Sequence, residues 1–251
     1  VKIDTGMHRL GISPEEALKF IPKIENYKNI KLAGIYSHFA SADEKDLSFT
    51  RQQLNTFLKL KLKLNSGLWH IANSAATLRL PESHFDMVRP GKILYGIPPS
   101  LEFVMPFKPK PILCLKTQVV QIQKIKRANT VGYNRIFVAQ KETTVATLPV
   151  GYGDGFRRAP KNWGKVLIHG QFAPLVGRVS MDQTTIDVSK ISRVSVGDEV
   201  VLIGHQGKNQ ITTWDVAQTL GTSSYEVLTS LSTRITRIYT IKGVMVKCDH
   251  D

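Results

Sequence analysis

The chain has 251 residues, of which 42% are hydrophobic and 22% are charged, a composition typical of a globular protein with a large core and room for two domains. No apolar run approaches transmembrane length, and two cysteines are too few for a disulfide framework, which favours a reducing compartment. The net charge of +14 suits anionic partners, yet the lysines are spread along the chain and no zinc-finger, RNP-like or basic-zipper pattern occurs. The sequence begins Val1-Lys2 without Met, so we expect the natural start to lie elsewhere.

The first 105 residues alternate between helix-like and strand-like segments. Residues 13–16, Ser-Pro-Glu-Glu, predict the start of a helix that ends at Pro22. Residues 30–39 predict a strand. Residues 49–64 predict a helix, because helix formers dominate there although the end of the segment alternates like a strand.

The alternation continues to the end of this region. Residues 68–72 predict a short strand, Asn73 and Ser74 predict the N-cap of a helix through Leu80, and residues 85–91 predict another strand. About four strand-helix units predict a parallel sheet with helical crossovers. This number of units fits either a small open sheet or half of an eight-stranded barrel.

Residues 106–251 have a different character, and we place a domain boundary between residues 105 and 106. Five prolines between residues 98 and 111 indicate a linker, and short β-like runs follow at the spacing of an antiparallel sandwich or barrel. Helices are predicted from Thr212 to Gly221 and from Ser223, which opens a capping-box pattern.

Four polar residues lie where predicted strands end, which in an α/β barrel is the rim that carries function. They are Arg9, His38, Ser74 and Arg89. Each also has a structural interpretation, since Ser74 could simply cap a helix and a lone His or Arg at a strand end is usually structural. Four on successive strand ends favour a site.

The stretch VGYGDG, residues 150–155, presents Tyr152 in a glycine-rich turn. Asp154-Gly155 predicts a β-hairpin, which needs no function. A phenol has a pKa near ~10 and acts as a base only near cations or hydrogen-bond donors. Only Arg157 and Arg158 are near it in sequence. From spacing alone, Met181 in GRVSMDQ is predicted to be a core residue.

Seven blocks in order between Lys2 and Tyr239 resemble alanine racemases: KIDTGMHRLG, HFASADE, ANSAATLR, RPGKILYG, VGYGDGFRR, VGRVSMDQ and SYEVLTSLSTRITRIY. The resemblance implies an α/β + β fold, the second half of a (β/α)8 PLP-binding barrel followed by a mostly antiparallel β domain. It implies a cytoplasmic homodimer that interconverts L-alanine and D-alanine with pyridoxal 5'-phosphate (PLP) and supplies D-alanine for bacterial peptidoglycan. Each active site would be shared between one subunit's barrel and the other's β domain.

The resemblance also implies catalytic roles. Tyr152 would remove the α-proton of L-alanine across the subunit interface. His38 and Arg89 would stand behind it as a relay. Arg89 would also face the pyridine nitrogen of the cofactor and limit the spread of negative charge into the ring. Arg9 and the backbone N–H of Met181 would meet the substrate carboxylate.

The cofactor phosphate would be held by four residues: Ser74, Gly91, Lys92 and Tyr225. Lys2 matches a position that is carbamylated in some members and braces the arginine at position 9. No metal, nucleic acid or membrane partner is implied.

The chain departs from the family pattern at three positions: His8 replaces a small residue, Gly153 stands where Ala is frequent, and Ser180 stands where Cys is common. His8 could alter how Arg9 is held. The motif of the family's Schiff-base lysine, resembling KANAYGHG, does not occur. We therefore expect the sequence to start at about the fifth of eight barrel strands, to belong to a longer protein and to be inactive alone.

Three other functions remain open. A racemase of the same fold could act broadly on serine or lysine. A decarboxylase shares the domain order but lacks the GYGDG and SMDQ blocks. A basic nucleic-acid-binding module is supported only by the net charge.

Overall fold

The computed structural model describes residues 1–64 and 66–249 and divides into two compact units, Val1–Ile112 and the residues from Leu113 onward. This division lies C-terminal to the boundary expected at residues 105 and 106. The Pro-rich stretch belongs to the first unit because it packs back on it. The Ile112 N–H donates to the Tyr95 carbonyl at 3.2 Å, and Gly96 lies so close to the Lys110 carbonyl that a Cβ there would overlap it.

The first unit alternates helices with short parallel strands, as predicted. Its elements are α1 (Pro14–Glu25), β1 (Gly34–Tyr36), α2 (Ser48–Lys61), β2 (Leu68–His70) and α3 (Ser74–Arg79), with 3-10 helices at Pro81–Ser83 and Lys92–Tyr95. β1 and β2 pair in parallel with Tyr36 opposite His70, and a parallel bridge joins Lys2 to Tyr36. The core lies between the strands and the helices and includes Ile35, Phe57 and Trp69, all nearly fully buried.

Helix α1 extends beyond Pro22, so the prediction that this proline ends the helix is wrong. Proline lacks an N–H and forfeits one helical hydrogen bond. The capping box at Ser13, whose hydroxyl accepts from the Glu16 N–H at 3.1 Å, stabilises the first turn. Ala17 and Ile21 are fully buried on the inner face, and their packing holds the remaining turns.

Two predicted strands are shorter than expected or absent. Of residues 30–39, only β1 is a strand, and residues 85–91 form none. The second segment still runs beside β2, because Asp86 N–H donates to the Trp69 carbonyl at 3.0 Å and Arg89 N–H to the Ala72 carbonyl at 2.9 Å. A positive φ at Phe85 and the missing N–H of Pro90 leave these two bonds without a continuous ladder. The segment nevertheless brings Arg89 to the end of β2.

The second unit is built on an eight-stranded sheet with antiparallel pairing, which confirms the predicted β domain. The strands of the unit are β3 (Leu115–Gln118), β4 (Gln121–Ile125), β5 (Thr130–Val131), β6 (Phe137–Val138), β7 (Thr143–Leu148), β8 (Lys165–Ile168), β9 (Gln171–Val176), β10 (Thr184–Asp187), β11 (Glu199–Gln206), β12 (Asn209–Ile211), β13 (Arg237–Ile241) and β14 (Val244–Asp249). The order in the large sheet is β12-β11-β8-β9-β10-β7-β4, and β3 pairs with β11. β5 with β6 and β13 with β14 form separate two-stranded sheets.

Two helices complete this unit, α4 (Thr213–Leu220) and α5 (Ser224–Thr229), both close to their predicted positions. Thr212 caps α4 and Gly221 ends it in a left-handed conformation, while Ser223 caps α5. The core of the unit includes Phe156 and Trp163, whose rings stack at 4.6 Å between centroids. Among residues 1–64 and 66–249, no helix has both the length and the apolar character needed to cross a membrane.

Candidate functional site

In the first unit, Arg89 joins the ends of the two parallel strands. Its guanidinium donates to Nδ1 of His70, to Nδ1 of His38 at 3.3 Å and to the Ser37 carbonyl at 2.7 Å. Its charge lies 5.3 Å from the ring of Tyr36, which stacks on His70 at 5.2 Å. The structure therefore brings His38 and Arg89 into contact, although 51 residues separate them in sequence.

The electrostatics of this cluster keep its histidines neutral. Burial lowers the pKa of His38, and the positive charges of Arg89, Arg9 and Lys2 lower it further. The pKa of His70 is also lowered, first by burial and then by Arg89. Burial lowers the pKa of Arg89 itself, and among the described residues no carboxylate forms an ion pair with it. The cluster is a partly buried cation held by neutral acceptors.

His70 is a member of the cluster that the sequence analysis missed. It lies in the short strand predicted over residues 68–72, where a single histidine among apolar residues gives no signal of its own. The informative signal is cross-strand: Tyr36 pairs with His70 in the β1–β2 register, and His38 follows Tyr36 by two residues. A single sequence does not reveal that register.

Lys2 and Arg9 lie near the same cluster, as their effect on the pKa of His38 indicates. Lys2 is held by backbone contacts, with its carbonyl accepting from the Ile12 N–H at 3.0 Å. His8 is exposed and in a left-handed conformation, and its Nδ1 lies 3.1 Å from the Asp4 carboxylate. It therefore turns toward Asp4, while Arg9 projects into solvent.

Ser74 and Gly91 meet at a second turn of the first unit. The buried Ser74 hydroxyl accepts from the Gly91 N–H at 2.9 Å and from the Ile93 N–H at 3.4 Å. A Cβ added to Gly91 would meet nothing within 4 Å, so there is open space beside this backbone. Both N–H groups point to the Ser74 hydroxyl in this structure. A phosphate in the open space would accept from the Ser74 O–H and from these two N–H groups in place of the hydroxyl oxygen, so the turn fits one.

Lys92 follows in the same turn, but its side chain points into the protein. Lys92 is only 5% exposed, and its ammonium donates to the Pro99 carbonyl at 2.8 Å. Burial lowers its pKa. The side chain thus holds the residues that follow the turn, and the phosphate role implied for Lys92 stays a prediction.

In the second unit, Tyr152 opens a 3-10 helix, Tyr152–Asp154, rather than a hairpin loop. The hairpin prediction from Asp154-Gly155 is wrong, because β7 before the turn pairs with β4 and β10 and not with β8 after it. Gly155 ends the turn at φ +89 and lies against the Ser230 carbonyl, where a Cβ would overlap it. The Tyr152 side chain is 45% exposed, so the turn presents the phenol outward.

Met181 lies beside this turn, and the prediction that it is a core residue is wrong. Its side chain is 52% exposed. The Tyr152 N–H donates to the Ser180 carbonyl at 3.0 Å and the Gly153 N–H to the Met181 carbonyl at 2.9 Å. Gly151 lies so close to the Ser180 carbonyl that no side chain fits there. The two blocks are therefore joined backbone to backbone, with both named side chains on the surface.

A cleft of about 450 Å³ adjoins Tyr152 and includes Arg157, Arg158 and Glu226 in its lining. Arg158 lies 6.0 Å from the Tyr152 ring, and Arg157 pairs with Glu226 at 3.2 Å. Tyr225, the residue before Glu226, is half exposed in the first turn of α5. Of the two arginines near Tyr152 in sequence, only Arg158 faces its ring.

Comparison with known proteins places both parts of the chain in one family. The family model "Alanine racemase, N-terminal domain" matches residues 1–99, and "Alanine racemase, C-terminal domain" matches residues 112–239. The alanine racemase of Halothermothrix orenii is 42% identical over 95% of this chain and 64% of its own length, and alanine racemase 1 of Clostridium acetobutylicum is 43% identical over 98% and 66%.

Solved structures give the same result. The alanine racemase of Bacillus anthracis with bound L-Ala-P superposes with a TM-score of 0.93 at 37% identity, and that of Clostridium difficile 630 with 0.94 at 36% identity. Each superposition includes 100% of this chain and 66% of the residues of the solved structure. The chain thus spans slightly less than two thirds of the relatives it matches.

Proposed function

Because the chain belongs to the alanine racemase family, we propose that its natural protein interconverts L-alanine and D-alanine with PLP as cofactor. In a bacterial cytoplasm this reaction supplies D-alanine for peptidoglycan. The observation that supports the proposal best is the Arg89 cluster, a partly buried guanidinium held by two neutral histidines with no carboxylate ion pair among the described residues.

The chain offers the cofactor two matching features. The Ser74–Gly91 turn supplies a hydroxyl and backbone N–H groups for the phosphate, and Lys92 adjoins it in sequence. The Tyr225 hydroxyl is proposed to reach the same phosphate from a second subunit. Arg89 supplies a cation for the pyridine nitrogen. PLP, when bound, withdraws electrons from the substrate's α-carbon and so acidifies the α-proton.

Arg89 sets the character of the reaction. A guanidinium keeps its proton at physiological pH, so it donates to the ring nitrogen and does not protonate it. This restrains delocalisation into the ring and favours return of a proton to the α-carbon over side reactions such as transamination. His38 and His70 accept from Arg89 and hold its plane in place.

Tyr152 is the proposed base for L-alanine. Its phenol takes the α-proton on one face of the substrate and returns it in the reverse direction. A phenol requires stabilisation of its ionised form to act at neutral pH. The nearest arginine along the chain, Arg158, lies 6.0 Å from the Tyr152 ring. Arg9 and the Met181 N–H bind the carboxylate of either enantiomer.

We further propose a homodimer in which Tyr152, Met181 and Tyr225 of one subunit complete the site built on Arg89, His38 and Ser74 of the other. Lys2 is proposed to be carbamylated and to brace Arg9. The outward presentation of Tyr152 and Met181 supports this arrangement, because both side chains are about half exposed in the isolated chain.

The test uses the protein expressed from its natural open reading frame. With PLP added, we expect conversion of L-alanine to D-alanine and a visible absorption band that borohydride reduction makes permanent. Absence of a trapped cofactor would refute the proposal. Serine and lysine serve as comparison substrates. If the protein racemised either of them faster than alanine, that amino acid would be the substrate instead of alanine.

A further inference from the structure

Arg234 links the turn that carries Tyr152 to the turn that carries Met181. Its Nε donates to Asp154 Oδ1 at 2.8 Å, and its Nη2 donates to Asp182 Oδ1 at 2.6 Å. Asp154 is the last residue of the 3-10 helix that begins at Tyr152, and Asp182 follows Met181 directly. One edge of a single guanidinium therefore binds both turns, in the fork geometry that arginine uses for paired acceptors.

The two carboxylates need a cation between them. The other oxygen of Asp154 accepts from the Gly151 N–H at 2.9 Å, so this carboxylate is fixed within the Tyr152 turn. With Arg234 removed, two negative charges would face each other across turns joined only through their backbones. Asp154 first and Asp182 second raise the pKa of Arg234, so the cation is fully charged at neutral pH.

The glycine at position 153 makes room for this contact. A Cβ at Gly153 would lie 2.6 Å from Arg234 Nη2 and 3.1 Å from the Met181 carbonyl oxygen. The guanidinium therefore lies directly over the backbone of the residue after Tyr152. Gly153 is also a position at which this chain departs from the Ala that is frequent in the family.

We propose that Arg234 is a positioning residue for racemisation, which fixes the Tyr152 phenol relative to the Met181 main chain by binding Asp154 and Asp182 together. The inference rests on the proposed function. Arg234 touches neither substrate nor cofactor in this role. Its side chain is 45% exposed, and exposed ion pairs contribute little to folding, so loss of the cation should affect placement of the phenol more than stability.

The experiment measures uptake of solvent deuterium at the α-carbon of saturating L-alanine and, separately, of saturating D-alanine, in the protein from the natural open reading frame. The variants are Arg234→Gln, Arg234→Lys and Asp182→Asn. The control is Lys116→Gln, which breaks the Lys116–Glu199 pair at 2.7 Å elsewhere in the same unit, with a side chain 47% exposed.

We expect Arg234→Gln to slow exchange into L-alanine about tenfold or more, since a misplaced reacting group costs that much, while exchange into D-alanine falls far less. Asp182→Asn should act in the same direction, Arg234→Lys should retain more L-face exchange than Arg234→Gln, and Lys116→Gln should match the wild type. Equal loss on both faces, or no loss, would overturn the inference. Wild-type protein that exchanges neither enantiomer would instead refute the proposed function.

Discussion

The phenol of Tyr152 is the group on which the proposed chemistry depends, and the structure explains how a residue in a tight turn can be available for it. The backbone on both sides of the tyrosine is tied to residues 180 and 181, and the side chain is left half exposed. Hydrogen bonds therefore fix the main chain of the turn, while the phenol hydroxyl stays accessible.

Replacing Tyr152 with Phe should remove the proposed L-face base and leave the fold intact, because the side chain is 45% exposed. We expect exchange of solvent deuterium into L-alanine to fall by about 100-fold or more, the usual contribution of a general base. Exchange into D-alanine should persist, and NMR of each enantiomer in D2O measures the two rates. Equal loss in both would leave Tyr152 without the role of base.

His38 should make the folded protein sensitive to acid. Its pKa is lowered from 6.5, so as pH falls below 6.5 the unfolded chain takes up a proton that the folded chain does not, and the free energy of unfolding decreases. Above pH 6.5 the contribution is fully present. The drop in the urea midpoint between pH 7.5 and 5.5 should therefore be smaller in His38→Gln than in the wild type.

The control is His205→Gln, which changes an exposed histidine of the second unit. We expect it to lose as much stability between the two pH values as the wild type does. A His38→Gln protein with an unchanged acid-side loss would show that burial and the charges of Arg89, Arg9 and Lys2 do not govern this histidine.

At the scale of elements, helices with local signals were predictable and contacts between elements were not. α2, α4 and α5 follow from helix formers and capping residues a few positions apart. The prediction for Pro22 failed because burial of Ala17 and Ile21 outweighs one lost hydrogen bond. The hairpin prediction at Asp154-Gly155 failed because β7 pairs with β4 and β10 and not with β8, the next strand in the chain.

In the candidate site too, contacts between residues distant in sequence could not be predicted. Positions at predicted strand ends identify His38 and Arg89 as candidate site residues, whereas no sequence pattern identifies His70 or Arg234. Both act through partners distant in sequence, since His70 is paired across β1 and β2 and Arg234 binds Asp154 and Asp182. Such contacts depend on register and loop packing, which composition and periodicity do not encode.

Gly155 offers a test of how tightly the Tyr152 turn is packed. Gly155 and Gly197 have φ values of +89 and +92, but a Cβ on Gly155 would overlap the Ser230 carbonyl, whereas one on Gly197 would meet nothing within 4 Å. We expect Gly197→Ala to cost about 1 kcal/mol of unfolding free energy, from backbone strain alone. Gly155→Ala should cost about 2 to 4 kcal/mol, because displacement of α5's C-terminal segment is added.

Urea denaturation of the two variants measures the difference. Gly155→Ala should also lower the proposed racemase activity of the natural protein, because the turn that presents Tyr152 must shift. If both variants lost the same free energy, packing against Ser230 would not be what requires the glycine.

For the dimer as a whole, an active site shared between subunits predicts that two inactive variants recover activity when they are coexpressed. Arg89→Ala and Tyr152→Phe each remove one half of a site proposed to form between subunits. When the two are coexpressed, half of the dimers are mixed, and one of the two sites in each mixed dimer carries both native residues. Coexpression should therefore restore about a quarter of wild-type activity.

The activity of the coexpressed pair, compared with each variant alone, measures this recovery. A double variant carrying both changes, coexpressed with wild type, gives the matched reference for mixed dimers. If each subunit built its site alone, every subunit in the mixture would keep one defect and no activity would return.

The contacts of Arg89 also determine the tautomers of two imidazole rings. A guanidinium only donates hydrogen bonds, so the Nδ1 atoms of His38 and His70 must both be acceptors, and each ring carries its proton on Nε2. The arginine thus selects one of two neutral forms in each histidine and directs both Nε2–H groups away from itself. In a ¹⁵N spectrum these rings would show a pyridine-type Nδ1 and a pyrrole-type Nε2. The chemical shifts would thus identify the ring nitrogen that accepts from Arg89.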